Sequence, residues 1–482
     1  MSEHAAETVF VAALFDGATL RRDVALGWRE GEIIPIEQAQ APTGPRRLVT
    51  PAFANAHDHA RPLPTTSFGS AFLPLEAWLP RTVLGTPPDA YLGAVAPFAR
   101  GARAGCGAVM AHYTRPSGTL SPVDEARAVA RAANDVGLRV AFAPAVRDMN
   151  PLVYGDEADV LAELPAGLRN AVTASLAPAP ASPGAYVALV EEIAAAIEGP
   201  LVDVQFGPAG VQWCSQPLLE AIAEASAATG RQVHMHLLET VYQRAYADRR
   251  FPQGVVVFLK EIGLLSERLT LAHCVHARPD ELELIAAAGA TIVTNLSSNL
   301  HLKSGIAPIA EARRRGCRIA VGVEGQALDE DDEMVREARL AHLVHAGVGF
   351  DTVWGRRDFL ADVVAAGRRA TGAPGDGSLG PGAPADFVVF DLDALDRDAI
   401  MEVDPLDLLF ARGTAAHVRD VVVRGRRIVA DGRVTGVDLP AVETELRERY
   451  RRDIARHAEL IRGWSELESG LRRWFCGCAG CG

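Results

Sequence analysis

The sequence predicts an α/β fold, a (β/α)8 barrel of the TIM type, flanked by a small β-sandwich built from both ends of the chain. Three observations predict it. Eight short apolar runs, at 48–54, 106–112, 138–145, 200–206, 232–237, 268–274, 290–296 and 317–323, read as strands. Amphipathic stretches of helical length separate most of them, at 122–136, 184–197, 215–230, 278–288 and 304–316. Both flanks, 8–47 and 377–434, break into short strand-like pieces punctuated by Gly and Pro. The expected division is a composite sandwich of 1–48 and 376–438, a barrel of 49–375, and a C-terminal helix with a Cys-rich tail at 439–482. An open doubly wound sheet is the structural rival.

Composition narrows the function classes. The chain has 482 residues, 49% hydrophobic, enough for a large core, and a formal charge of −13. That charge argues against a nucleic-acid partner, which calls for a basic surface. No basic-then-apolar leader and no apolar run of about 18 residues is visible, so a cytoplasmic protein without a membrane partner is expected. The seven cysteines, odd in number, read as reduced thiols. Three of them, Cys476, Cys478 and Cys481, form a tail that could hold a soft metal. With no visible fourth ligand, a disordered, metal-free tail is expected.

Of 13 histidines, six fall at or just past the C-terminal ends of expected barrel strands, where a barrel carries its active site. His57 and His59 in Asn55-Ala56-His57-Asp58-His59 are two apart on extended chain, so they share a side and can grip one ion. His234 and His236 repeat the pattern. His236 reads as a ligand, and His234 as a packed or supporting histidine. Glu239 lies just beyond, where a carboxylate can receive and return protons of a water on the metal. His273 ends the sixth run and should project into the mouth, whereas His276 belongs to the following loop. Glu324 closes the ring at the end of the eighth run. This nitrogen and oxygen donor set suits one divalent transition metal, Zn²⁺ first and Fe²⁺ second.

These motifs resemble the amidohydrolase superfamily, in particular its cytosine, guanine and triazine aminohydrolase branch. The resemblance spans nearly the whole chain. It runs through NAHDH at 55–59, HMHLLET at 234–240, LAHCVH at 271–276, NLSSNLHLKSGIAP at 295–308 and GSLGPGAPADFVVFD at 377–391. It implies His57, His59 and His236 as metal ligands and Glu239 as proton shuttle. It also implies His273 as the group that orients the attacking water or polarises the substrate.

Two positions depart from that branch. Asp58 stands where Thr is usual and should point away from the metal. Glu324 stands where Asp is usual and reaches one methylene further. It remains a candidate ligand and proton acceptor if the loop is adjusted. Asp329, Asp331 and Asp332 read as the solvated start of a helix rather than a substitute ligand set. Relatives with two metals often bridge them by a strand-4 lysine. Here the only lysines are Lys260 and Lys303, and the fourth run carries Gln205, so one metal is expected. Trp78, His112, Arg115, Arg147, Gln212, Trp213, Asn299 and His301 are candidates for a pocket wall that stacks on and hydrogen-bonds a flat polar heterocycle.

The expectation is a metal-dependent hydrolase of non-peptide C–N bonds. It deaminates a small nitrogen heterocycle at an amidine-like carbon, and its partner is that small molecule. A homo-oligomer is left open. The alternatives are opening of a cyclic amide at the same site, or a catalytically impaired metal-binding homologue in which Glu324 is the defect.

Overall fold

The computed structural model describes residues 6–40, 44–176, 179–325 and 328–479. Its centre is two sheets of parallel strands. The first joins Phe53–Asp58, Cys106–Tyr113 and Arg139–Val146, with Val202–Val204 and Gly207–Pro208 both pairing with the last of these. The second joins Val233–Leu237, Leu269–His273, Thr291–Thr294 and Arg318–Val321 in sequence order. The sheets touch along both edges. Phe206 bridges Val233 and Gly210 bridges His236, both in parallel sense. On the other side the Glu324 N–H donates to the His57 carbonyl at 2.9 Å. The strands are apolar on both faces because helices cover their outer side, as parallel sheets demand.

Local sequence explains those helices. Pro122–Val136, Pro183–Ile197 and Gln216–Thr229 each follow a serine whose hydroxyl accepts a first-turn amide, and each has Pro within its first two positions. Two of them stop at glycines with left-handed backbone, Gly137 (φ 84°) and Gly230 (φ 77°).

The first apolar run divides differently from expectation. Arg47–Pro51 pairs in parallel with Glu7–Phe15 and antiparallel with Phe387–Asp391, so it belongs to the flanking sheet. The inner strand begins only at Phe53. One continuous run therefore serves two sheets. His57 lies inside the strand, not after it. The flanking sheet has nine strands drawn from both chain ends, from Glu7–Phe15 through Arg433–Val434. Val11, Leu26, Trp28, Phe387 and Val422 are buried together on it.

The C-terminal region is more embedded than its charge suggests. Leu446 and Tyr450 pack on Leu92 and Ala96, and Leu467, Leu471 and Phe475 join a second core with Trp213 and Tyr154. The expected disordered tail is corrected in part. Trp464–Ala479 is one helix that includes Cys476 and Cys478, while Cys481 lies outside the described residues. Among the described residues, no helix is long and apolar enough to cross a membrane.

Candidate metal centre

Five side chains from four strand ends converge. His57 and His59 come from the first inner strand, His236 from the fifth, His273 from the sixth, and Glu324 from the turn after the eighth. His59 Nδ1 lies 2.8 Å from the His112 carbonyl, and His236 Nδ1 lies 2.7 Å from the Ala209 carbonyl. A carbonyl only accepts, so both Nδ1 atoms carry the proton and both Nε2 atoms present lone pairs. Those two Nε2 atoms face one another at 3.3 Å. Two lone pairs at that distance repel unless a cation lies between them. His57 Nδ1 is 2.7 Å from His234 Nε2. Donation from His57 leaves its own Nε2 free, which makes His234 a support behind the cluster.

Other polar atoms there are also unpaired. His57 Nε2, His273 Nε2 and Glu324 Oε2 are buried without a hydrogen-bond partner. Ligand atoms of His57, His236, His273 and Glu324 lie within 4.8 Å of one another, and those of His59, His112 and His236 form an adjoining group. Burial first, and neighbouring charge second, holds His57, His59 and His236 well below the usual imidazole range, so they stay neutral. Neutral imidazole is the ligating form. These residues fit a divalent transition metal: orphaned donors, correct tautomers and one carboxylate to offset its charge.

The position of Glu324 follows from the first strand. Three consecutive amides of its turn are captured there. Val323 N–H donates to Asn55 Oδ1 (3.0 Å), Glu324 N–H to the His57 carbonyl, and Gly325 N–H to Asp58 Oδ2 (3.0 Å). Asp58 also accepts from Asn55 Nδ2 at 2.7 Å and from the Ala60 N–H at 2.7 Å. Asp58 thus faces the loop and not the histidines. Glu324 has φ of 57°, an uncommon left-handed backbone that persists only where surroundings fix it. Gly322 permits the close approach: a Cβ there would sit 2.7 Å from both His57 N and His57 O. Glu324 Oε1 ends 3.7 Å from His59 Nε2, and Oε2 ends 3.6 Å from His273 Nε2.

Glu239 stands across this space, with Oε2 at 3.7 Å from His273 Nε2 and Oε1 accepting from Ser304 at 3.2 Å. Burial first, then the charge of Glu324, pushes its carboxyl well above the usual range. His273 Nδ1 is fixed by Asn299 Oδ1 at 2.9 Å, and left-handed backbone at His273 (φ 74°) re-aims the ring.

A cavity of about 390 Å³ opens onto His59, His236, Glu239 and Glu324. Of the expected wall residues, Trp78, Arg115, Arg147 and Trp213 line it. The structure does not bring the others to that wall. His112 bonds the Gly207 carbonyl beneath the histidines, Asn299 holds His273, Gln212 is fully buried, and His301 bonds the Leu328 carbonyl. Asp332 corrects the reading of a solvated acidic turn. It is buried and bonded to Arg100 at 2.7 Å, and Asp329 and Asp331 pair with Arg336. Arg61 was missed by the sequence reading. Its guanidinium stacks 4.6 Å over the Trp78 ring and faces the charges of Glu324, Asp58 and Glu239. Its place two residues past His59 is the signal that could have found it.

The fold and these residues define an α/β protein with a buried histidine–carboxylate metal centre at its strand ends. The chain belongs to the amidohydrolase family, whose model matches residues 48–428. Over 245 residues it is 31% identical to 5-methylthioadenosine/S-adenosylhomocysteine deaminase of Nitratidesulfovibrio vulgaris, covering 51% of this chain and 55% of that one. Over 247 residues it is 32% identical to 8-oxoguanine deaminase of Pseudomonas aeruginosa, covering 51% and 54%. The chain thus spans about half the length of these curated relatives. It is also similar in fold to atrazine chlorohydrolase of Arthrobacter aurescens TC1 complexed with zinc. That likeness has a TM-score of 0.76 at 21% identity and covers 91% of this chain and 98% of that one.

Proposed function

We propose that this chain is a metal-dependent aminohydrolase that releases ammonia from an amidine-like carbon of a small nitrogen heterocycle. His57, His59, His236 and Glu324 would hold one divalent transition metal, zinc first and iron second. The observation that carries the reading is the enforced approach of the His59 and His236 lone pairs at 3.3 Å, ringed by unpaired buried donors. The deaminase names of two relatives support the C–N chemistry.

Bound there, a divalent cation supplies a water acidic enough to be a nucleophile near neutral pH. The protein's residues do the rest. Glu239 takes a proton from the attacking water at Oε2 and returns it to the leaving nitrogen. Burial raises the proton affinity of its carboxylate, which suits a group that takes a proton and then passes it on. Glu324 is a second proton acceptor facing the same space. His273, fixed through Asn299, directs Nε2 at the developing charge. Trp78 and Trp213 line the cavity in which a flat ring would stack.

We also infer that the eight inner strands close into one barrel, since the two parallel sheets touch along both edges. The nine-stranded sheet would fold over its buried face as a sandwich, formed by described residues between 6 and 52 and by 376–438, with the barrel starting at Phe53. Four buried free thiols, Cys106, Cys214, Cys274 and Cys317, suit a reducing compartment such as the cytoplasm.

The test is an ammonia-release screen of the zinc-loaded protein over purines, pyrimidines, pterins and triazines. Release that depends on Glu239 supports the reading. Hydrolysis without ammonia reassigns it to cyclic-amide opening, and no turnover on any class overturns it.

A further inference from the structure

Among the described residues, two of the arginines that line the cavity form no ion pair. Arg115 follows the second inner strand and Arg147 follows the third, and both line the cavity that contains Glu239 and Glu324. Among the described residues neither guanidinium has a carboxylate within salt-bridge distance, although arginines elsewhere in the chain form many such pairs. Arg115 spends its hydrogen bonds on the Thr82 hydroxyl and the Leu79 carbonyl. Arg147 makes one long contact, 3.4 Å, to the Pro151 carbonyl. Glu76 lines a neighbouring pocket with both; Thr240 and Tyr154 hold its Oε1, its Oε2 is bonded to neither arginine, and neither arginine figures among the charges that act on it.

The third arginine of the cavity shows the contrast. Arg61 faces the charges of Glu324, Asp58, Asp332 and Glu239. The charges that reach Arg115 are those of Arg147 and Arg61, both of its own sign. Burial, and then these neighbours, pushes Arg115 down to about 9. Burial also lowers Arg147. Both side chains are half-buried, and a guanidinium partly withdrawn from water without a counter-ion costs free energy, more so beside another of the same sign. Such an arrangement persists where a ligand supplies the missing charge, and the planar fork of arginine matches carboxylate and phosphate oxygens.

We propose that Arg115 and Arg147 together seat an acidic group, carboxylate or phosphate, carried by the heterocyclic substrate away from its reacting carbon. This rests on the aminohydrolase reading for the word substrate, but the anion seat itself does not. Arg115 and Arg147 follow the second and third inner strands, whereas Glu239 and Glu324 follow the fifth and eighth, so the seat and the reacting end come from different elements around one cavity. A molecule spanning both would place its ring against Trp78 and Trp213 and its acid on the arginine pair.

The test uses zinc-loaded protein and two measurements. Calorimetric titration with inorganic phosphate, and separately with acetate, reads the seat without any substrate. Binding in the millimolar range is expected for at least one anion, weakened about tenfold or more in R115M/R147M and retained in R115K/R147K. Equal binding by native and R115M/R147M overturns the proposal. So does the absence of binding of either anion to native protein. Thermal unfolding of R147M should show a Tm at or above that of the native protein, because an unbalanced charge is removed. A clear fall would mark a structural role and count against the seat. The second measurement compares matched amino-heterocycles with a neutral, a carboxylate or a phosphate tail. The kcat/KM ratio of acidic to neutral member should exceed about ten and fall towards one in R115M/R147M. The preferred tail identifies the acid. Equal losses on all tails overturn the proposal. Arginine-dependent phosphate binding with no ammonia from any compound would sink the aminohydrolase reading and leave the seat standing.

Discussion

Two buried carboxylate sites sit at opposite ends of the inner strands, and they are built on opposite plans. At the N-terminal end, Asp386 is 1% exposed and fully engaged. It accepts from Arg139 at 2.9 Å, from Arg368 at 2.9 Å and from the Arg424 amide at 2.6 Å. Burial alone would raise its pKa, but Arg139 and Arg368 outweigh it and hold the carboxyl below the usual range. At the C-terminal end, Glu239 and Glu324 face histidines at 3.6–3.7 Å without bonding them, and burial pushes Glu239 up. A satisfied buried charge ties the flanking sheet to the inner parallel strands. An unsatisfied one is poised for something that arrives from outside. In barrels the first kind of site serves stability and the second serves chemistry.

The comparison breaks first at Asp386. Asp386→Ala strands two buried guanidiniums and should cost about 3–5 kcal/mol of unfolding free energy by denaturant titration. Metal content per folded molecule should be unchanged. A loss below about 1 kcal/mol would mean that the seam is not structural.

Glu239→Gln sharpens the other side. Turnover on an identified substrate should fall by roughly 100-fold or more, with metal content and stability retained. Metal loss would place Glu239 among the ligands, and unchanged turnover would remove it from the mechanism.

The amount of this that the sequence discloses depends on the range of the interactions. The helices at 122–136, 184–197 and 215–230 were legible because amphipathic patterning is local, and the serines and prolines that start them, Ser121, Ser182 and Ser215, act within one turn. The histidine pairs were legible because period-two alternation places them on one side of a strand. The boundary at 52 was not, since Arg47–Pro51 and Phe53–Asp58 form one unbroken run and differ only in their strand partners, Glu7–Phe15 and Phe387–Asp391 for the first and Cys106–Tyr113 for the second. Asp332 was misread for the same reason: its counter-ion is Arg100, 232 positions distant. Asp58 was rightly expected to face away from the histidines. That it grips Gly325, and so positions Glu324, depends on the first and eighth strands lying side by side.

That grip yields a smaller effect. Asp58→Ala releases the Gly325 amide and should weaken zinc binding about 10- to 100-fold, the scale seen when a group supporting a ligand is removed. Glu324→Asp should also weaken it, because the turn is held in a shape that suits the longer side chain. Zinc affinity by competition with a chelator reads both. Native affinity in Asp58→Ala would mean that the turn holds without it.

A last effect is confined to a pH window. Burial raises Glu76 to about 7. A carboxyl that binds its proton more tightly when folded adds stability below about pH 4.5, and loses that stability as pH rises through 7. Glu76→Gln should therefore gain on the native protein across that window by on the order of 3 kcal/mol. Parallel stability curves from pH 4 to 8 would contradict the assignment.

The claim that the unpaired donors of the mouth hold a single transition metal is tested most directly by anomalous scattering at the zinc edge, on crystals of zinc-reconstituted protein. The account predicts one peak per chain among His57, His59, His236 and Glu324. No peak there, or two, would contradict it.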